Sequence, residues 1–114
     1  MLVSREFTFA GAHRLPGYQG ACERLHGHTW KLRVTLEAPV GPAGIAFDFR
    51  ELGRVVKERV LSVLDHSDLN EVLEQPSAER IAEWVWSRLG ELPLAEVRVW
   101  ESDHSFVAYR GPGA

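Results

Sequence analysis

His26-Gly-His-Thr-Trp-Lys-Leu-Arg-Val-Thr-Leu-Glu37 is the stretch on which the fold turns. Trp30, Leu32, Val34 and Leu36 are apolar, whereas Thr29, Lys31, Arg33 and Thr35 between them are polar. Strict alternation of this kind predicts a half-buried antiparallel β-strand, because successive side chains point to opposite faces. His26 and His28 continue the apolar parity, so both are expected to point into the protein. Two residues apart on one strand face, their Cα atoms lie roughly 6 to 7 Å apart, close enough for two imidazoles to close on one ion.

Outward from this strand, Leu2 to His13 reads as a second strand in which Phe7, Phe9 and His13 share one parity. Placed beside the first, it would supply a third imidazole. Three neutral imidazoles without a thiolate suit zinc, although other divalent transition metals accept the same donors. The alternative is three unrelated histidines, capping strand ends or hydrogen-bonded in the core. The connecting stretch Leu15-Pro-Gly-Tyr-Gln-Gly20 is punctuated by Pro and Gly and reads as a loop, with Cys22 at its far end.

Downstream, Pro39-Val-Gly-Pro-Ala-Gly44 predicts a turn and Asp48 a helix N-cap. Phe49, Leu52, Val56, Val60 and Val63 recur at spacings of three and four, predicting an amphipathic helix from Phe49 to Leu64. Asp65 to Asn70 ends it. Pro76-Ser77 opens a second helix with Ile81, Val85 and Leu89 on one stripe and Gly90 as its stop. Leu94 to Ser102 and Phe106 to Arg110 predict two last strands joined by a turn at Ser102-Asp-His-Ser105. The expected order is ββααββ: an antiparallel α+β domain spanning residues 1–114, with both helices on one sheet face. Self-association would cover what that sheet leaves open.

Composition narrows the function. With 114 residues, 45% hydrophobic and 25% charged, the chain is expected to be a single globular unit. A formal charge of −3 argues against general nucleic-acid binding. No apolar run approaches the roughly 20 residues of a membrane span, and no leader pattern opens the chain, so a cytoplasmic protein is expected. The single cysteine forms no internal disulfide.

Cys22 therefore has three readings: a small buried hydrophobe, a fourth metal ligand closing the site, or a reactive thiol whose pKa a neighbouring cation or histidine lowers. Asp65-His66 either ends the first helix or forms a pair in which Asp65 or Asp68 orients the His66 ring for proton transfer. Glu101 shares the parity of Val97 and Val99, which places a carboxylate at the inward end of a strand. A planar, guanidine-like heterocycle edge is a suitable bidentate partner for it. Arg14 and Arg24 are candidates for an anion site. Ser77 is most simply an N-cap, His104 a solvated turn residue, and Trp30, Trp84, Trp86 and Trp100 core residues.

Together, Phe7-Thr-Phe-Ala-Gly-Ala-His-Arg-Leu-Pro16, Cys22-x3-His-Gly-His28, Phe47-Asp-Phe49, Leu64-Asp-His66 with Leu69-Asn70, Pro76-Ser-Ala-Glu79 and Glu101-Ser102 resemble the 6-pyruvoyl-tetrahydropterin synthase family. The Cys-x3-His-Gly-His spacing resembles its bacterial branch that forms 6-carboxy-5,6,7,8-tetrahydropterin in 7-deazaguanine (queuosine) biosynthesis. The resemblance implies the tunnelling fold, in which sheets of several copies join into a barrel as a homo-oligomer, a trimer or a dimer of trimers. It also implies conversion of 7,8-dihydroneopterin triphosphate to 6-carboxytetrahydropterin, acetaldehyde and triphosphate. By the same resemblance His13, His26 and His28 would hold Zn2+, Cys22 would be the general base, and Asp65 and His66 would complete its relay. Glu101 would anchor the pterin, Ser77 would contact it, and Arg14 and Arg24 would take the triphosphate. Ala78 stands where the family commonly has a second hydroxyl. The same site admits pyruvoyl formation without carbon-carbon cleavage, or pterin and metal binding without catalysis.

Overall fold

The computed structural model describes residues 1–18, 20 and 23–113. Its two long strands, β1 (Leu2–His13) and β2 (His26–Glu37), have the bounds expected from their alternation. They pair antiparallel along their whole length, from Leu2↔Glu37 to His13↔His26. Every even position of β2 from Trp30 to Leu36 is fully buried. One odd position, Thr35, is buried too, and its hydroxyl lies 2.7 Å from that of Ser4 across the pair.

Asp48 caps α1 (Phe49–Val56), its carboxylate accepting the Arg50 N–H at 2.7 Å. The helix continues through a π-helical turn, Lys57–Leu61, into a final turn, Ser62–Leu64. The π turn explains a departure from the expected stripe. Leu52, Val56, Val60 and Leu64 are the fully buried residues, while Phe49 is 59% exposed and Val63 only half-buried. A constant spacing of four overshoots a 3.6-residue turn by about 40° per step, and one wider turn returns the series to the core.

After α1 the chain makes an unforeseen contact. Ser67–Asp68 forms a short strand, β3, which pairs in parallel with Gly11 and Ala12 of β1 and makes the sheet mixed. A 3-10 turn, Leu69–Glu71, follows, and Leu69 packs so closely on Gly11 that an added Cβ there would meet its side chain at 3.1 Å. Ser77 caps α2 (Ala78–Arg88) by accepting the Arg80 N–H, and Ile81, Val85 and Leu89 are fully buried as expected. Gly90 follows the helix end without adopting a left-handed backbone. β4 (Leu94–Ser102) pairs with β2, and β5 (Ser105–Tyr109) closes a hairpin through Asp103 and His104, which is exposed as expected.

The sheet order is β3-β1-β2-β4-β5. Phe7, Phe9, Trp30, Leu32, Val34, Leu36, Val97 and Val99 share one cluster with the buried residues of both helices, so the two helices cover one face. The opposite face is charged. There Lys31, Arg33 and Arg98 surround Trp100, which is only partly buried and belongs to this outer face, while Trp84 and Trp86 pack at the margin of the core. Of the four tryptophans only Trp30 is a full core residue. Among the described residues no helix is long and apolar enough to cross a membrane. Leu32 has no exposed surface and sits at the centre of the two-layer core. Leu32→Ala is expected to lower the unfolding free energy by about 2–5 kcal/mol, measured by urea denaturation of the metal-free chain.

Candidate metal centre

The pairing of β1 with β2 assembles the site. His13 stands directly opposite His26, and Gly11 opposite His28, so three imidazoles meet at the end of the ladder. Their ring centroids are 4.5, 5.2 and 4.8 Å apart, each pair edge to face. Trp30, two residues further along β2, closes the apolar side of the cluster, with its ring 5.0 Å from His13 and 5.3 Å from His28. The Trp30 indole N–H is satisfied by the Gly11 carbonyl, so this wall adds no unpaired polar group.

Hydrogen bonds on the far side of two rings select which nitrogen faces the cluster. His13, fully buried, has its Nδ1 2.7 Å from the Pro76 carbonyl, and His26 has its Nδ1 2.7 Å from the Arg24 carbonyl. A carbonyl only accepts, so each Nδ1 carries the proton and donates it, leaving Nε2 with a bare lone pair. Such outer hydrogen bonds commonly orient metal-binding histidines. Burial pushes the His28 pKa below its ordinary value of 6.5, with Glu101 opposing and His13 and His26 adding to the shift. Its ring therefore stays neutral further into the acid range. The Nε2 atoms of His13 and His28 are buried and have no hydrogen-bond partner. Orphaned buried nitrogens aimed at one point are what a metal ion would satisfy.

Glu101 joins them. One donor atom from each of His13, His26, His28 and Glu101 lies within 4.8 Å of all the others. Three imidazoles and a carboxylate fit a divalent transition metal, and the residues present match what such an ion requires.

The Asp65-His66 pair lies elsewhere. Asp65 accepts the Ala10 N–H at 2.9 Å, which holds its carboxyl below the usual range, and the neighbouring His66 adds to that effect. His66 takes a left-handed backbone, φ 57°, and its N–H donates to the Ala10 carbonyl. Its Nδ1 is 3.1 Å from Asp65 Oδ1, and the ring is 82% exposed. Asp65 is thus the residue that orients His66; Asp68 instead accepts the Asn70 N–H. His66 and His28 border one groove of about 520 Å³ along β1 and β2, but His66 is not part of the histidine cluster.

Cys22 lies outside the described residues. Arg14 and Arg24 are exposed; the backbone of Arg14 is clasped by Asn70 on both sides, and the Arg24 carbonyl holds His26. Ser77 acts as the N-cap and lines a groove of about 370 Å³ between α2 and β5 together with Glu79 and Tyr109. The carbonyls of Pro76 and Arg24 were not foreseeable as parts of the site, because a backbone acceptor leaves no mark in residue type.

The shift on His28 has a consequence for the metal-free chain. A histidine with a depressed folded-state pKa contributes stability that is full above its unfolded value, 6.5, and is lost as pH falls through the folded-state value. Urea unfolding in the presence of chelator, from mildly alkaline to mildly acidic pH, is expected to show this decline, and His28→Asn to flatten part of it.

Known proteins carry the same pattern. Residues 2–112 match the family described as 6-pyruvoyl tetrahydropterin synthase. The 6-carboxy-5,6,7,8-tetrahydropterin synthase of Synechocystis is 36% identical, with 97% of this chain and 94% of the relative covered. That of Haemophilus influenzae is 31% identical, covering 95% and 97%. A solved structure of Caenorhabditis elegans 6-pyruvoyl tetrahydropterin synthase superposes with a TM-score of 0.88 at 24% identity, over 97% of this chain and 95% of that one. With the ladder, the two helices and the histidine cluster all in place, and with a match that runs nearly end to end, this chain belongs to the 6-pyruvoyl tetrahydropterin synthase family.

Proposed function

We propose that this protein is a zinc-dependent 6-carboxy-5,6,7,8-tetrahydropterin synthase, a carbon-carbon lyase acting on 7,8-dihydroneopterin triphosphate in 7-deazaguanine (queuosine) biosynthesis. The observation that carries the reading is the convergence of His13, His26 and His28, two of them with Nε2 atoms that are buried and unpartnered. The names of the Synechocystis and Haemophilus influenzae relatives support the product.

In this reading the three histidines hold Zn2+, which when bound supplies Lewis acidity toward the oxygens of the substrate side chain and makes the adjacent C–H bonds more acidic. Cys22, four residues before His26, takes a proton from that side chain as thiolate. His66, its ring held by Asp65, returns or accepts a proton at a different atom. Two groups are needed because removal and return occur at separate carbons or oxygens. Glu101 accepts the N–H donors of the pterin's pyrimidine edge in a bidentate pair, which fixes the side chain relative to the cluster. Ser77 contacts the pterin, and Arg14 and Arg24 take the triphosphate. Both ends of the sheet, β3 and β5, are open to pairing, which supports a homo-oligomer with joined sheets, a trimer or a dimer of trimers.

Incubation with dihydroneopterin triphosphate, with and without chelator, separates this reading from its neighbour. Acetaldehyde formed only with metal present supports carboxy formation. A pyruvoyl product without acetaldehyde would make the chain a 6-pyruvoyl-tetrahydropterin synthase instead, and no turnover on any dihydropterin would leave a binding protein. Cys22→Ala is expected to lower kcat by roughly 10²- to 10⁴-fold, the usual weight of a positioned acid or base, while the zinc content stays unchanged.

A further inference from the structure

Glu101 is the one member of the cluster that the β1–β2 ladder does not place. It lies on β4, where Trp100 pairs with Phe106 and Ser102 with Ser105, so Glu101 is the extra residue of a β-bulge. Bulges re-aim a side chain and release it from the ladder. Here Glu101 Oε1 stands 3.0 Å from His28 Nε2 and 3.4 Å from His13 Nε2.

The 3.0 Å approach to His28 falls within the range of a hydrogen bond, whereas 3.4 Å to His13 is longer than such a bond usually is. Neither contact has the full geometry of a hydrogen bond, distance and angle together. The proton of His13 is committed at Nδ1 to the Pro76 carbonyl, so its Nε2 presents a lone pair to a carboxylate oxygen. A lone pair and a carboxylate oxygen at such range are drawn together by a shared cation, a proton or a metal ion, and the three converging imidazoles favour the metal. Ligands bonded at about 2.0–2.1 Å to a tetrahedral ion are separated by roughly 3.3 Å along each tetrahedron edge, and Glu101 stands at that spacing from two imidazoles at once.

We propose that Glu101 is an exchangeable fourth ligand. With an ion bound and substrate absent, its carboxylate would complete the coordination begun by His13, His26 and His28. An incoming substrate oxygen would take that position, and the released carboxylate would be free to accept the N–H donors of the ring. The exchange involves no redox step, since one oxygen donor leaves as another enters. The side chain of Glu101 is 35% exposed, so it has a path away from the cluster that fully buried His13 lacks. The identity of the displacing ligand rests on the proposed pterin chemistry, whereas the resting coordination does not.

Cobalt(II) is a suitable probe, because its visible bands report coordination number and donor type. Metal-free protein and Glu101→Gln are titrated with cobalt against a competing chelator, then with 7,8-dihydroneopterin. The wild-type chain is expected to bind cobalt at least roughly tenfold more tightly than Glu101→Gln, a scale reached even by partners outside the metal's direct ligands. Its spectrum is also expected to differ from that of the variant and to change when the pterin is added. Equal affinity and identical spectra would overturn the assignment. Circular dichroism of both metal-free proteins checks folding. Should Glu101→Gln fail to fold, Glu101→Asp, which withdraws the carboxylate by one methylene, is read by the same criteria. Cobalt binding that depends on Glu101, without turnover of dihydroneopterin triphosphate, would keep the ligand and refute the function; metal-dependent turnover with cobalt affinity indifferent to Glu101 would do the reverse.

Discussion

The structure depends on one register, the antiparallel pairing in which His13 faces His26 and Gly11 faces His28. Side chains alternate strictly along a strand, so a slip of one residue would send both histidines of β2, with Trp30 and Leu32, to the charged face. Core and metal centre are therefore specified by one constraint. The apolar residues that hold β1 against β2 hold the imidazoles in place, and the burial of Trp30, Leu32, Val34 and Leu36 guards the register on which the site depends. The position of the cluster at the end of the ladder matters too. At mid-sheet the helices would cover it, whereas at the strand ends it borders loops and grooves open to a ligand.

A second layer ties the site to the rest of the chain through backbone carbonyls. Pro76 immediately precedes the N-cap of α2, and its carbonyl holds His13; Arg24 lies in the segment between β1 and β2, and its carbonyl holds His26. Each bond fixes a tautomer as well as an orientation, because the ring must donate toward the carbonyl and so turns its lone pair inward. The start of α2 and the approach to β2 thereby act as parts of the metal centre without contributing a ligand. Asp65 does comparable work at the sheet edge, bridging the Ala10 N–H and the His66 ring.

What was legible in the sequence follows from period and parity. The alternation of β2 located its ends and the inward direction of His26 and His28, and the parity of Glu101 with Val97 and Val99 foretold that it would reach inside. Other features left no trace of that kind. The π turn of α1 repairs the drift of a four-residue spacing, and a periodicity argument that assumes 3.6 residues per turn places Val63 where Leu64 belongs. β3 spans two residues, too short for any pattern, and forms because Ser67 and Asp68 happen to pass β1. Trp100 reads as core by residue type alone, yet it lies on the outer face, where Lys31, Arg33 and Arg98 surround its ring and Phe106 on β5 packs beside it.

The four groups of the cluster differ in freedom. His13 is locked by the ladder, by complete burial and by the Pro76 carbonyl; His26 by the ladder and the Arg24 carbonyl; His28 by the ladder and the Trp30 ring. Glu101 sits on a bulge, partly exposed, with its carboxylate beside His28 and His13 and outside the β1–β2 ladder. A centre built from four equally rigid donors would bind an ion and do little else, since any substrate would have to break the fold to reach it. Three fixed nitrogens and one freer oxygen would keep an ion in place while leaving a single position to exchange. That asymmetry arises from the sheet itself: the β1–β2 ladder is regular where it carries the histidines, and β4 breaks its pairing with β5 at Glu101.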